Sequence, residues 1–242
     1  MVWVPGGSTE SGYSANAVRF DGSNDYLLRG AGLTSASDSK VGILSFWFQF
    51  QGGDGTELTI LSGAATTVQI IRNSSNKIRL VLQNSGFAFG WDASTSTSYT
   101  ADGTWHHFLA SWNVGTSAGW IYVDDAADLS EVTNTDQDVE WTQSDWGIGS
   151  RTGASDKLNA EIADLYLNTA TSLDLSSSAN RRKFIDAEDL PVDLEDDGSG
   201  PTGSAPIIYL SGATATWHTN KGGGGGFTES GALTDAADSP SD

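Results

Sequence analysis

Alternation of apolar and polar positions sets the first expectation. Gly42–Phe50 reads GILSFWFQF, with Phe46, Phe48 and Phe50 on one side and Ser45, Trp47 and Gln49 on the other. That period of two is a β-strand's. Trp105–Asn113 and Gly119–Asp125 are two more such runs, joined by the short loop Val114–Ala118, and together they predict a hairpin. In its second arm Ile121 and Val123 share one face, and Trp120, Tyr122 and Asp124 share the other. In its first arm Phe108, Ala110 and Trp112 read as core. Trp105 and Leu109, on the opposite face, are apolar too, which predicts that something covers the sheet there.

The same pattern recurs along the chain. Ala17–Leu28 reads as strand, turn and strand around Asp21–Asn24. Leu58–Leu61, Thr66–Arg72, Lys77–Gln83, Phe87–Asp92, Trp146–Ser150 and Ala160–Leu167 read as short strands. In the last of these, strict alternation sets Ile162, Asp164 and Tyr166 against Ala163, Leu165 and Leu167. Ala93–Thr100 reads as surface loop and Ala126–Asp138 as an acidic polar segment. A dozen or so short strands with no helix before residue 170 predict an all-β fold, a two-sheet antiparallel jelly-roll sandwich. A propeller would need a repeat of about 40–50 residues, and none is visible. The expected division is an N-terminal arm over 1–16, a jelly roll over 17–168 and a mostly irregular C-terminal extension over 169–242. In the extension, Ser177–Ile185 predicts a short helix, Ala205–Leu210 a returning strand, and Gly222–Gly226 a flexible linker or a tight loop against a neighbouring subunit.

Composition narrows the classes. Nine Trp and nine Phe among 242 residues can fill a large core. The absence of Cys excludes disulfides and thiolate metal sites. No apolar run approaches the length of a membrane span, so no membrane insertion is expected. No secretory signal is visible at the N-terminus. A net charge of −19 argues against nucleic acid, whose phosphates need clustered cations.

The motifs AVRFDGSNDYLL, GILSFWFQF, DGTWHHFLASWN, GWIYVDD, WGIGSRTG and AEIADLYL occur in an order that resembles laminin-G-like, concanavalin A-like lectin and glucanase jelly rolls. Asp125 stands where that family usually has Gly. The extension RRKFIDAEDLPVDL…GPTGSAPIIYLSG…TNKGGGGGFTESGAL resembles the tail that follows such domains in structural proteins of tailed bacteriophages. This second resemblance implies a virion surface protein made in the host cytoplasm: a capsid decoration protein, head fibre or tail-associated module. It would be a homo-oligomer, a trimer by preference, with other virion proteins and host-surface polysaccharide as partners. The first implies a structural Ca²⁺, for which Asp164 matches the family's final-strand Asp, with Asp21, Asn24 and Asp25 in the first turn as oxygen donors.

Catalysis finds little support. Glucanases of this fold place carboxylates on alternate positions of one strand, whereas Glu161 and Asp164 are three apart and fall on opposite faces by alternation. Adjacent His106 and His107 point opposite ways, so they cannot share a metal. No enzyme activity is expected. The remaining candidate is the non-core face of the central strands, where Trp47, Gln49, His107, Ser111, Trp120, Tyr122 and Asp124 form a groove of aromatic plates and polar groups suited to a sugar. The competing reading is that the same face is closed by a loop, by the extension or by a partner subunit. A free carbohydrate-binding lectin or adhesin is the alternative to the virion role, and a glycoside hydrolase a distant third.

Overall fold

The computed structural model describes residues 12–242; the rest of the expected N-terminal arm lies outside the described residues. In chain order the strands are β1 (Ala17–Asp21), β2 (Tyr26–Leu28), β3 (Val41–Phe50), β4 (Leu58–Gly63), β5 (Val68–Arg72), β6 (Ile78–Gln83), β7 (Phe89–Thr95) and β8 (His106–Asn113). They continue with β9 (Ala118–Val123), β10 (Ala126–Ala127), β11 (Leu129–Asn134), β12 (Trp146–Ile148), β13 (Asn159–Asn168), β14 (Ile208–Leu210), β15 (Thr228–Ser230) and β16 (Thr234–Asp235). Two one-turn helices, α1 (Ser178–Arg181) and α2 (Thr214–Trp217), lie in the extension.

The strands form the expected antiparallel sandwich. The first sheet runs β10-β9-β8-β3-β13-β1-β16, with β14 also paired to β13; the second runs β11-β7-β6-β5-β4-β12-β2-β15. Phe46, Phe48, Phe108, Ile121 and Val123 of the first sheet face Ile70, Leu80, Leu82 and Trp91 of the second in one continuous core. Ala126–Asp138, read as a polar segment, supplies β10 and the edge strand β11. The predicted loop Ala93–Thr100 begins as the end of β7.

A row of indoles crosses this core. Trp91, Trp112, Trp141 and Trp146 follow one another at centroid distances of 5.6, 6.2 and 6.0 Å, with the last two pairs stacked. Glycines on the flanking strands leave room for them. Gly42 pairs with Trp112 across β3 and β8, and a Cβ there would lie 2.1 Å from the Trp112 ring. A Cβ on Gly119 of β9 would lie 2.8 Å from Trp91.

The extension is part of this sandwich. β14 and β16 extend the first sheet and β15 the second. Ile208, Leu210, Trp217, Phe227 and Leu233 are buried in the main core. The five-glycine tract is a tight loop against its own chain. Gly223 N donates to Pro206 O, Gly224 N to Ile207 O, and Thr34 N to Gly224 O, at 2.8, 2.8 and 2.9 Å. A Cβ on Gly222 or Gly224 would lie 2.5 or 2.4 Å from those backbone oxygens.

Strict alternation fails in β13. Ala163 pairs with Trp47 and Tyr166 with Ser45, so β13 gains one residue on β3 at a bulge. Asp164 sits there in the left-handed region, φ 49°. Past the bulge the faces exchange. Ile162, Leu165 and Leu167 all enter the core, while Ala163 and Tyr166 face outward.

Replacing Gly42 with Ala forces a methyl into the Trp112 ring and should destabilise the fold by about 1–3 kcal/mol. Chemical denaturation followed by near-ultraviolet circular dichroism checks this, and an unchanged unfolding midpoint would refute it.

Candidate functional site

The non-core face of the first sheet is not an open groove, because the chain's own segments cover it. Leu109, Ile43 and Tyr166 pack beneath Leu175, Phe184 and Leu194 of the extension, with Trp120, Tyr122 and Leu173 at the margin. Trp47 and Ala163 pack with Ala15 and Ile185. The apolar outward positions of β8 thus have the cover that their sequence predicts.

Of the seven expected groove residues, Trp47, Ser111, Trp120 and Tyr122 become seats for that cover, and Gln49, His107 and Asp124 bond within the first sheet and its loops. Trp47, Gln49, His107 and Ser111 are all at most 4% exposed. Ser111 Oγ accepts from Leu173 N at 2.8 Å. Gln49 Nε2 donates to Gly103 O at 3.0 Å. His107 Nε2 lies 2.8 Å from Ser45 Oγ. Burial pushes its imidazole down to about 3, so it stays neutral. Asp124 fastens the hairpin: Oδ1 accepts from His107 N at 2.8 Å and Oδ2 meets His106 Nδ1 at 2.6 Å. Tyr122 is capped by Arg181, whose guanidinium carbon is 4.5 Å from the ring centre. Trp120 is partly buried at the same margin. While the extension is seated, no sugar ring can reach most of this surface.

Asp125 explains the departure from Gly. Asp124 and Asp125, at φ 50° and 58°, form the two-residue turn between β9 and β10, where left-handed backbone favours Gly. The Asp125 carboxylate receives Nε of Arg181, and Arg182 Nη2 at 2.7 Å. A carboxylate at this turn thus clasps α1 onto the sheet, which the strain of a non-glycine residue accompanies.

The four expected calcium donors do not form a set. Asp21 Oδ1 accepts from the amides of Ser23, Asn24 and Asp25 at 2.7, 3.0 and 3.2 Å, the hydrogen bonds of an Asx turn. Asp25 Oδ1 accepts from Ala232 N at 3.0 Å. Asn24 N belongs to that same turn. Asp21 pairs with Asn159, five residues from Asp164 along β13, or roughly 16 Å at the rise of a strand. Among the described residues no three His, Asp or Glu side chains are placed to hold a metal.

The bulge also corrects the reading of Glu161 and Asp164. Both lie on the covered face. Glu161 is 4% exposed, beneath Ala237 N at 3.4 Å. Asp164 is 3% exposed and accepts from Tyr13 Oη at 3.0 Å on each oxygen. Burial pushes the Asp164 carboxyl up to about 7, against the Tyr13 hydrogen bond and Lys221, which favour the charged form. Neither carboxylate has access to a substrate.

The outer face of the second sheet, which the extension does not cover, exposes Phe87, Phe89 and part of Arg79 beside the buried polar groups of Asp92 and Gln83. Cross-strand pairing sets Gln69 beside Val81, Val81 beside Asp92, and Arg79 beside Ser94. Arg79 grips Asp92 with two bonds of 2.8 and 2.7 Å. A bulge at Gly90 brings Phe89 opposite Gln83. Phe89 is 36% exposed, and Phe87, in the hairpin turn at φ 62°, is 60% exposed. Gln83 Nε2 donates to Phe87 O at 3.1 Å. The sequence drew attention away from this face, because its aromatic positions follow a bulge and a turn.

A family model described as the concanavalin A-like lectin/glucanases superfamily matches residues 21–173. No curated protein matches the sequence. Among solved structures the chain is similar to a heptameric SAP-like pentraxin from Limulus polyphemus, at 12% identity and a TM-score of 0.58, over 95% of this chain and 97% of that one. It is also similar to a provisionally named carbohydrate-binding protein from Bacteroides ovatus, at 9% identity and a TM-score of 0.63, over 94% of this chain and 62% of that one. At such identities the likeness is one of fold.

Two outcomes follow from the covered face. Asp125→Ala should free α1, costing about 1.5–3 kcal/mol for the lost charged hydrogen bonds and speeding proteolysis after Arg181 and Arg182; a cleavage rate equal to wild type would refute the clasp. Asp164 holds its proton in the fold up to about pH 7 but unfolded only to about pH 4. Its contribution is therefore full below about pH 4 and is lost at about 1.4 kcal/mol per pH unit until about pH 7. The stability of wild type minus that of Asp164→Asn should fall across that window and level off above it. A flat difference between pH 4 and pH 8 in urea titrations would contradict this.

Proposed function

The chain belongs to the concanavalin A-like lectin/glucanases superfamily, and from that premise we propose that it is a non-catalytic binding protein whose ligand is an oligosaccharide held on the outer face of the second sheet. The observation that carries this reading is an exposed aromatic, Phe89, on the same outer face as the partly exposed Arg79, which Asp92 holds, and Gln69, on the sheet that the extension does not cover. An aromatic plate stacks on sugar C–H groups, and planar polar side chains bond hydroxyls. The Bacteroides protein of similar fold is named for carbohydrate binding, in keeping with this class.

The finer reading is a bacteriophage virion surface protein, an oligomer that contacts other virion proteins and host-surface polysaccharide. It rests on the resemblance of the extension, which contains RRKFI, to the tails of phage structural proteins; Arg181, Arg182, Phe184 and Ile185 of that run seat the extension on the sheet. The exposed edge strand β11, with Val132 72% exposed, offers a surface for protein contact. Co-sedimentation with purified particles and a fixed subunit number by mass photometry test this role; a monomer absent from particles would refute it.

For the glycan site, Phe89→Ala should weaken polysaccharide binding at least tenfold, about 1.4 kcal/mol, with an unfolding midpoint close to wild type. Arg79→Ala should weaken it likewise and also lower the midpoint, because it leaves the Asp92 carboxylate, 4% exposed, without its partner. The check is titration of a host-surface polysaccharide panel by tryptophan fluorescence and calorimetry. Binding that survives both substitutions would overturn the assignment.

A further inference from the structure

A cavity of about 220 Å³ opens where three distant segments meet: the loop before β3, the residues that follow β13, and the run 205–207 with Gly223. Its chemistry is unlike the rest of the surface. In a chain of net charge −19, no charged side chain lines it. Thr34, Ser35, Ser37 and Thr169 bring hydroxyls, and Pro206 and Ile207 form an apolar wall. Ser35 is held in the left-handed region at φ 59°, a strain that side-chain packing does not require of an exposed serine. Thr34 Oγ1 accepts from Arg29, whereas the Ser35 and Ser37 hydroxyls bond no partner among the described residues.

Gly223 is the telling position. Gly222 and Gly224 are bare because a Cβ would strike backbone oxygen, and Gly225 because it would strike the Arg29 guanidinium at 2.5 Å, with φ 84° besides. None of this holds at Gly223, nor at Gly226, where a Cβ would find only His218 O at 3.9 Å; of the two, Gly223 alone lines the cavity. A Cβ at Gly223 would find only Pro206 O, at 3.9 Å, and the backbone lies outside the left-handed region. Neither packing nor conformation calls for glycine. What the missing side chain does is leave the cavity open.

We propose that this cavity is a binding pocket for a single neutral sugar ring. The proposal rests on the reading of the protein as a glycan binder and gives it a second site, lined by none of the residues around Phe89. The volume lies below the roughly 300–1,000 Å³ of sites for drug-sized ligands, which suits one ring. Hydroxyl groups exchange hydrogen bonds with a sugar's hydroxyls, the Pro206–Ile207 wall takes its C–H face, and the uncharged lining selects against acidic sugars, which the chain's own field repels.

The test is amide chemical-shift titration with methyl glucoside, methyl galactoside and N-acetylglucosamine. At least one should give saturable shifts at Ser35, Thr169 and Gly223, with a Kd on the order of 1 mM. Gly223→Val, which fills the cavity, should weaken that binding at least tenfold at an unchanged melting temperature, and Gly223→Ala should weaken it less. Phe89→Ala should leave these shifts intact. No shift at these amides with any of the three sugars would overturn the pocket, as would equal binding by wild type and a folded Gly223→Ala. Sugar-induced shifts confined to residues around Phe89 and Arg79 would overturn it too, while upholding the face of the second sheet. Loss of polysaccharide binding in neither Phe89→Ala nor Arg79→Ala, with the Gly223 effect present, would overturn the face and uphold the pocket.

Discussion

The structure depends on burying the second apolar face of the first sheet. Leu109, Ile43, Tyr166 and Trp47 all point away from the sandwich core, and an antiparallel sheet can leave one face in water only if that face is polar. Each such side chain is worth about 1.5–3 kcal/mol when buried, so an uncovered sheet would forfeit a sum comparable to the stability of a whole domain. The extension supplies the cover through Leu175, Phe184 and Leu194. Directional contacts then fix where it sits: Asp125 on two arginines, Ser111 on Leu173 N, Arg181 over Tyr122. Apolar burial provides the stability and the polar contacts set the register.

The two roles of the extension reinforce each other. The chain that covers the first sheet goes on to add β14, β15 and β16 to the sheet edges and Trp217 and Phe227 to the core. Removing the cover therefore also exposes the edges of β13, β2 and β1, and unpaired edges invite association with other chains. Jelly roll and extension share one core, so a division at residue 168 marks a change in chain character rather than a boundary between folding units.

Much of this was legible in sequence, for reasons that also explain the failures. The regular strands β3, β8 and β9 follow a strict period of two, and their faces read correctly: Phe46, Phe108 and Ile121 inward, Trp47, Leu109 and Tyr122 outward. The doubly apolar pattern of β8 even signalled the cover. Alternation misled wherever one residue was inserted. At Asp164 the bulge moved Leu165 to the core beside Ile162, and at Gly90 it turned Phe89 outward. Nothing local in either strand announces a bulge, which is set by the neighbouring strand's register. The glycine tract misled by composition: Gly222 and Gly224 are there because backbone oxygens from 206 and 207 pass within 2.5 Å of where their side chains would stand, a tertiary fact. The candidate groove failed for the same kind of reason, since an outward aromatic such as Tyr122 reads alike whether a sugar or an arginine stacks on it.

That ambiguity decides where function belongs. The family's fold offers two broad faces, and this chain spends one of them on its own stability. Its polar groups there, Ser111, His107 and Asp124, are satisfied by the protein itself at 2.6–2.8 Å, and a ligand would have to displace those bonds together with the apolar cover. Recognition by surfaces already free of such partners costs neither. The cavity at Gly223 meets that condition with the unpartnered hydroxyls of Ser35 and Ser37, and the face bearing Phe89 meets it through its exposed ring, its Arg79–Asp92 pair and Gln83 being bonded within the protein. On the proposed glycan-binding reading, closing the first sheet with the extension therefore leaves recognition to the parts of the surface that the extension frames but does not fill.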